Sequence, residues 1–332
     1  MELLADPVPA EHSFMDAAVE YVLSLERRGK DPSRAINDLK LVDPWIGSLP
    51  LSHIHQGALK SFEAAQRGVR KSGTVARCYR TTVAVLNHAA RVLRDGNRPW
   101  LAIATPKIVA PDWGDARKPY RLTWREQDAL FEALPAHLQC PALFAVATGA
   151  REQEVMSLRW DQEVFTPGLP KGSVWWIPPE IRKGNARKAA SAQEGRYLIA
   201  NTLARRAIDH QRRNDSDWVF PGPSGGRVQR LNNTGWKMSR RMAGLAQVRV
   251  HDLRHTFGER LEAAGVPWEY RKVLLGHTVQ DITAHYSAPG LAQLLVQAEK
   301  VTRATAWVRR PTLVTQNVTH TNAKAARRRL TR

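Results

Sequence analysis

From Phe14 the apolar residues return every three or four positions: Phe14, Ala17, Ala18, Tyr21, Val22 and Leu25 form one helical stripe. Ser13 and Asp16 stand at capping-box spacing just before it. The pattern predicts further helices over 32–41, 51–70 and 74–95, the last with Ala76, Tyr79, Val83, Leu86, Ala90 and Leu93 on one face. Residues 105–121 break the rhythm. They are rich in proline and charge, show no period, and read as a linker.

Helical periodicity resumes at Thr123, where Thr123 and Glu126 repeat the capping-box spacing ahead of Leu130, Phe131 and Leu134. A helical stretch over 142–158 is interrupted by Thr148-Gly149. The segments 173–177 (SVWWI) and 196–200 (RYLIA) are strand-like, and the polar run 183–194 between them suits a hairpin tip. More helices are predicted over 202–213, 232–243, 253–264 (closed by Gly265), 267–274 (closed by Gly276), 281–285 and 291–301. The chain therefore reads as mainly α. A helical domain of about four helices spans 1–104, and a linker 105–121. A mostly helical domain with a small antiparallel β-sheet spans 122–302, and a flexible basic tail 303–332.

A length of 332 residues supports two domains with a core in each, and 43% hydrophobic residues is a globular content. Charge changes the picture more. A formal net charge of +19 points to an anionic polymer as partner, and the excess is shared along the chain. Arg67, Arg70, Lys71, Arg77 and Arg80 cluster in the last two helices of the first domain. They read equally as a solvated face or as a face for a nucleic-acid backbone. Cys78 and Cys140 have no metal or redox spacing, which fits a reducing compartment and no function for either. The N-terminal residues lack a secretory pattern and no apolar run reaches membrane-spanning length, so a soluble cytoplasmic protein is expected.

Candidate chemistry gathers in the second domain. His251 and Arg254, three apart at a helix start, share one face where the helix N-terminus adds partial positive charge, a natural seat for a phosphate. Arg151 follows the Thr148-Gly149 turn, and Glu154 three residues on can hold its guanidinium. Singly, such an arginine is more often a surface ion pair. His277 closes LLGH, and Tyr286 follows nine residues later. A lone tyrosine is usually a packing residue, and a phenol of pKa near 10 attacks only with help. Two arginines and a histidine would supply that help.

Arg151 in TGAREQE, the HDLRHT block with His251, Arg254 and His255, LLGH with His277, and Tyr286 nine residues on resemble the signature of the tyrosine recombinases, the phage-integrase family. IPPEIRK resembles the strand that leads to the family's catalytic lysine, which places that role on Lys183, with Arg187 and Lys188 as alternatives in the polar run. The resemblance spans about 13–301 and implies a core DNA-binding domain followed by a catalytic domain. It implies that Tyr286 attacks the scissile phosphate to give a 3′-phosphotyrosyl link and a free 5′-hydroxyl. Arg151 and Arg254 would hold the nonbridging oxygens, His251 would accept the phenol proton, and His277 would donate a hydrogen bond to the phosphate. Lys183 would protonate the leaving oxygen. Glu154 would support the arginines, and His255 would be structural. The resemblance further implies no metal or other cofactor, and a homotetramer on double-stranded DNA in which helix 291–301 docks into a neighbour or packs on its own domain.

With about a dozen residues before the first helix, action at short core sites is expected, with room for small DNA-bending accessory proteins and a place at the nucleoid. Integration or excision of a mobile element is the leading expectation. A type IB topoisomerase and a catalytically silent DNA-binding regulator are the alternatives.

Overall fold

A computed structural model describes residues 11–181, 195–212, 214–277 and 288–302, the side chains of 288 and 289 excepted. Lys183, Tyr286, the expected hairpin tip, the expected helix over 281–285 and the basic tail lie outside the described residues. The chain divides into two compact units, Met1–Lys118 and Pro119–Arg332.

In the first unit α1 (Phe14–Arg27), α2 (Ser33–Ile46) and α4 (Ser72–Arg91) enclose a core that includes Phe14, Val42, Ile46, Phe62, Tyr79 and Leu86. The capping box forms as expected: Asp16 N donates to Ser13 Oγ at 3.2 Å, and Ser13 N to the Asp16 carboxylate at 3.0 Å. Replacing Ser13 by Ala should cost about 1 kcal/mol, read as a lower denaturant midpoint at unchanged slope. The helix α2 runs beyond its expected end, through Pro44, because Val42 and Ile46 are buried and their packing outweighs the lost backbone hydrogen bond.

The continuous helix expected over 51–70 is instead a 3₁₀ turn (Leu51–His53) followed by α3 (Lys60–Gln66). Ile54 turns extended, and the Gly57 N–H donates to His55 Nδ1 at 3.0 Å, so a local side-chain bond competes with the helix. After α4 a two-residue turn at Gly96 (φ +56°) joins β1 (Arg94–Asp95) to β2 (Arg98–Pro99), where helix was expected to continue to residue 95.

The expected linker carries no helix or strand, yet part of it is pinned to the first unit. Ile108, Ala110 and Trp113 pack on that unit's core. The amide of Gln56 exchanges hydrogen bonds with the Val109 backbone at 2.7 and 3.3 Å, and the Asp115 carboxylate accepts from Ser72 N at 3.0 Å at the start of α4.

The second unit is built around α6 (Ala136–Thr148), which is buried nearly all round. Against it pack α8 (Thr202–Gln211) and α10 (Val250–Ala263), with α5 (Trp124–Ala133), α7 (Glu152–Met156), α9 (Thr234–Met242) and α11 (Trp268–Leu274) completing the layer. The strands β3 (Val174–Ile177) and β4 (Arg196–Ile199) pair antiparallel, with Val174 opposite Ile199 and Ile177 opposite Arg196. The helix α12 (Ala288–Glu299) lays Leu291, Leu294, Leu295 and Ala298 on its own domain, against Val174, Ile199, Phe257, Leu261 and Leu274. Asn201 Nδ2 donates to the Ala298 carbonyl at 3.1 Å, and Thr202 N to the Glu299 carboxylate at 2.9 Å. Among the described residues no helix is long and apolar enough to cross a membrane.

Candidate active site

Two glycine turns and one helix start bring the second unit's candidate residues together. The helix α6 ends on Gly149 at φ +66°, where a Cβ would stand 2.5 Å from Phe257 of α10; only glycine lets the two elements approach so closely. The freed Gly149 carbonyl accepts from Arg254 Nη1 at 2.8 Å, which ties the HDLRHT helix to the turn that precedes Arg151. Arg151 then caps α7. Its N–H donates to Glu154 Oε2 at 2.8 Å, its Nη1 to Glu154 Oε1 at 3.0 Å, and its Nη2 to the Gly276 carbonyl at 3.1 Å. That last bond brings in the LLGH turn, the residue before His277.

The result is a cleft of about 870 Å³ whose walls include Arg151, His251, Arg254, His255 and His277. Arg151 stands about a hundred positions or more from the other four, yet all five line one space. Arg254 is 7% exposed. Burial first, then the charges of Arg151 and Arg196, push its guanidinium down to about 9, against the pull of Glu154. It stays charged at neutral pH, and an anion in the cleft would relieve all three penalties. Burial, followed by His255 and Arg254, lowers the pKa of His251; burial, followed by Arg254, Arg151 and Arg196, lowers that of His277. Each shift favours the neutral imidazole, the form that can accept a proton. His255, expected to be structural, also lines the cleft, its ring set edge-on to His251 with centroids 4.8 Å apart.

Glu154 is fully buried and holds two guanidiniums, that of Arg151 as expected and a second that is not Arg254. The second belongs to Arg196 at the head of β4, whose Nη2 lies 2.8 Å from Glu154 Oε2 and whose Nη1 donates to the Leu274 carbonyl at 3.2 Å. In the sequence Arg196 reads only as the first residue of a strand. A signal is present all the same: a charged residue opening an otherwise apolar strand must find a partner if it faces the core.

The candidate DNA-binding residues lie in the first unit. Arg67, Arg70 and Lys71 occupy the exposed turn between α3 and α4, with Arg67 over the Trp113 ring and Arg70 hydrogen-bonded to Gln66. Arg80 is exposed on α4. Arg77 differs: its Nε lies 2.7 Å from the buried Asp38 carboxylate, so it neutralises a core acid as well as presenting a partly exposed cation.

Comparison with known proteins agrees with this architecture. A lambda integrase tetramer bound to a Holliday junction superposes with a TM-score of 0.58 over 81% of this chain and 78% of that one, at 13% identity. The Tn1549 transposon integrase in complex with circular intermediate DNA gives 0.55 over 95% and 99%, at 14% identity. The fold is thus that of the tyrosine recombinases. The chain belongs to the phage integrase family, whose model matches residues 121–290. The integrase of Salmonella phage P22 is 29% identical over 198 residues, which are 55% of this chain and 47% of that relative, so the chain matches about half of the P22 protein's length.

Proposed function

We propose that this protein is a site-specific recombinase that cuts and rejoins double-stranded DNA, serving the integration or excision of a mobile element. One observation carries the reading: Arg151, the pair His251 and Arg254, and His277, drawn from three separate segments of the chain, line one cleft in which the cations are fixed by backbone carbonyls and a buried carboxylate. Cations held so rigidly suit a charge that grows during reaction, because they need no rearrangement when it does.

Tyr286 Oη attacks the scissile phosphorus and its proton passes to neutral His251. The bond to the 5′-oxygen breaks, and Lys183 protonates that oxygen, since an alkoxide leaves poorly. The phosphate stays on the 3′-oxygen and is now linked to tyrosine. Attack by a 5′-hydroxyl reverses each step, so one phosphoester is exchanged for another without an external energy source. Arg151 and Arg254 hold the nonbridging oxygens, and His277 donates to one of them. Replacing Arg254 by Ala should lower the cleavage rate on the order of 10²- to 10³-fold, measured as single-turnover adduct formation.

The proposed partner is duplex DNA with short core sites, contacted by the second unit's cleft and by Arg67, Arg70, Lys71 and Arg80 of the first. The assembly is a homotetramer, supported by the tetrameric state of the lambda integrase neighbour on its junction. Incubation with a pool of nicked suicide duplexes, recovery of covalent adducts and sequencing of the attached DNA test the proposal. Adducts on Tyr286 at one short inverted-repeat site are expected. Adducts spread over many sequences would indicate a topoisomerase, and tight binding without adducts would indicate a regulator.

A further inference from the structure

The cleft is backed by a cation that does not line it. Arg196 is 3% exposed and is not among the residues that line the cleft. Its Nε and Nη2 grip both oxygens of Glu154 at 3.3 and 2.8 Å, while Nη1 reaches the Leu274 carbonyl at 3.2 Å. The same carboxylate takes the Arg151 backbone N–H and guanidinium. Two residues past Leu274, Gly276 lies against the Arg196 side chain so closely that a Cβ would meet its guanidinium carbon at 2.7 Å, with φ at +63°. One guanidinium thus touches the holder of Arg151 and both ends of the turn that delivers His277.

We propose that Arg196 is a positioning residue of this site: by spanning Glu154 and the Leu274 carbonyl it locks Arg151 and the His277 turn in one arrangement. The inference rests on the recombinase reading above. Without Arg196 the Glu154 carboxylate keeps one guanidinium instead of two, and Arg151 and the turn lose their shared anchor. Planarity matters here. A guanidinium bonds in three directions within one plane, whereas an ammonium is a point charge that cannot reach the carboxylate and the carbonyl with the same geometry. Charge matters separately, because the Arg196 cation is one of those that lower the pKa of His277.

Arg196→Gln and Arg196→Lys separate the two contributions. Arg196→Gln is expected to slow adduct formation at saturating suicide duplex on the order of 10- to 100-fold, to leave DNA affinity nearly unchanged, and to raise the His277 pKa. That pKa is followed by NMR titration, with the resonance assigned against a His277→Gln chain. Arg196→Lys is expected to return the His277 pKa toward its original value and to leave the reaction slow. The role is overturned if Arg196→Gln cleaves at the unaltered rate, if Arg196→Lys restores that rate in full, or if both variants lose their cooperative melting transition, which would make Arg196 a fold element only. The titration needs no DNA. An unaltered chain that forms no adduct therefore overturns the recombinase reading, whereas an unmoved His277 pKa in Arg196→Gln overturns the role of Arg196.

Discussion

A chain carrying Tyr286→Phe should bind duplex DNA as tightly as the unaltered protein and form no covalent adduct with it. The substitution removes one oxygen. A phenol of pKa near 10 is neutral at pH 7, so the net charge of +19, and with it the phosphate attraction and its salt dependence, is untouched. What disappears is the proposed nucleophile, and none of the other tyrosines is placed to replace it. The chain has six. Tyr79 is buried in the first unit and hydrogen-bonded to Glu63, and burial followed by that carboxylate raises its pKa. Tyr21 packs edge-on to His88 in the same unit. The Tyr120 hydroxyl is held by Glu126, which raises its pKa as well. Tyr197 and Tyr270 pack on the apolar cluster beneath α12. None of the five lines the cleft. Adduct formation is read on denaturing gels and binding by fluorescence anisotropy over a salt series. An adduct that survives the substitution would assign the nucleophile to another side chain; an affinity lost with the hydroxyl would mean that Tyr286 serves binding rather than attack.

Elements whose apolar stripe and caps agree are legible in the amino-acid sequence alone. Ser13 with Asp16 and Thr123 with Glu126 mark helix starts to the residue, because a capping box satisfies backbone donors through side chains that the sequence names directly. HDLRHT and LLGH are legible for the same reason, being short segments in which the chemistry and the local turn coincide. Three features are not. The break at Ile54 depends on a histidine side chain competing with the helix, which a hydrophobic period over 51–70 does not register. The pinning of residues 108–115 depends on pairings about forty to fifty positions away, Gln56 with Val109 and Ser72 with Asp115, in a segment whose own composition says linker. Arg196 is visible only as a charge in a strand, since its partners Glu154 and Leu274 are 42 and 78 positions distant. Local grammar reports local structure, whereas buried ion pairs are tertiary facts.

The largest stability effect should follow Glu154→Gln. Glu154 is fully buried between Arg151 and Arg196. Burial alone would raise its pKa, but the charge and hydrogen bonds of Arg196, then the N–H and charge of Arg151, outweigh that and hold it down to about 2. Loss of the carboxylate leaves two guanidiniums without their anion, and breaking such a buried pair costs about 3–5 kcal/mol. The pH dependence gives an independent reading. A carboxyl whose folded pKa lies below its unfolded value stabilises the fold above the unfolded pKa, and that contribution fades as pH falls toward the folded one. For Glu154 the window runs from the ordinary glutamate value of 4.5 down to about 2. Across it the unaltered protein should lose about 3 kcal/mol that the Gln variant never had. Denaturant unfolding of both chains at pH 7 and in acid steps toward the lower end of that window should therefore show a wide stability gap that narrows as acid is added. A gap that stays constant with pH would mean that Glu154 acts by shape and not by charge, and a gap below about 1 kcal/mol at neutral pH would mean that the two guanidiniums find other partners, leaving the cleft without the fixed anchor on which Arg151 depends.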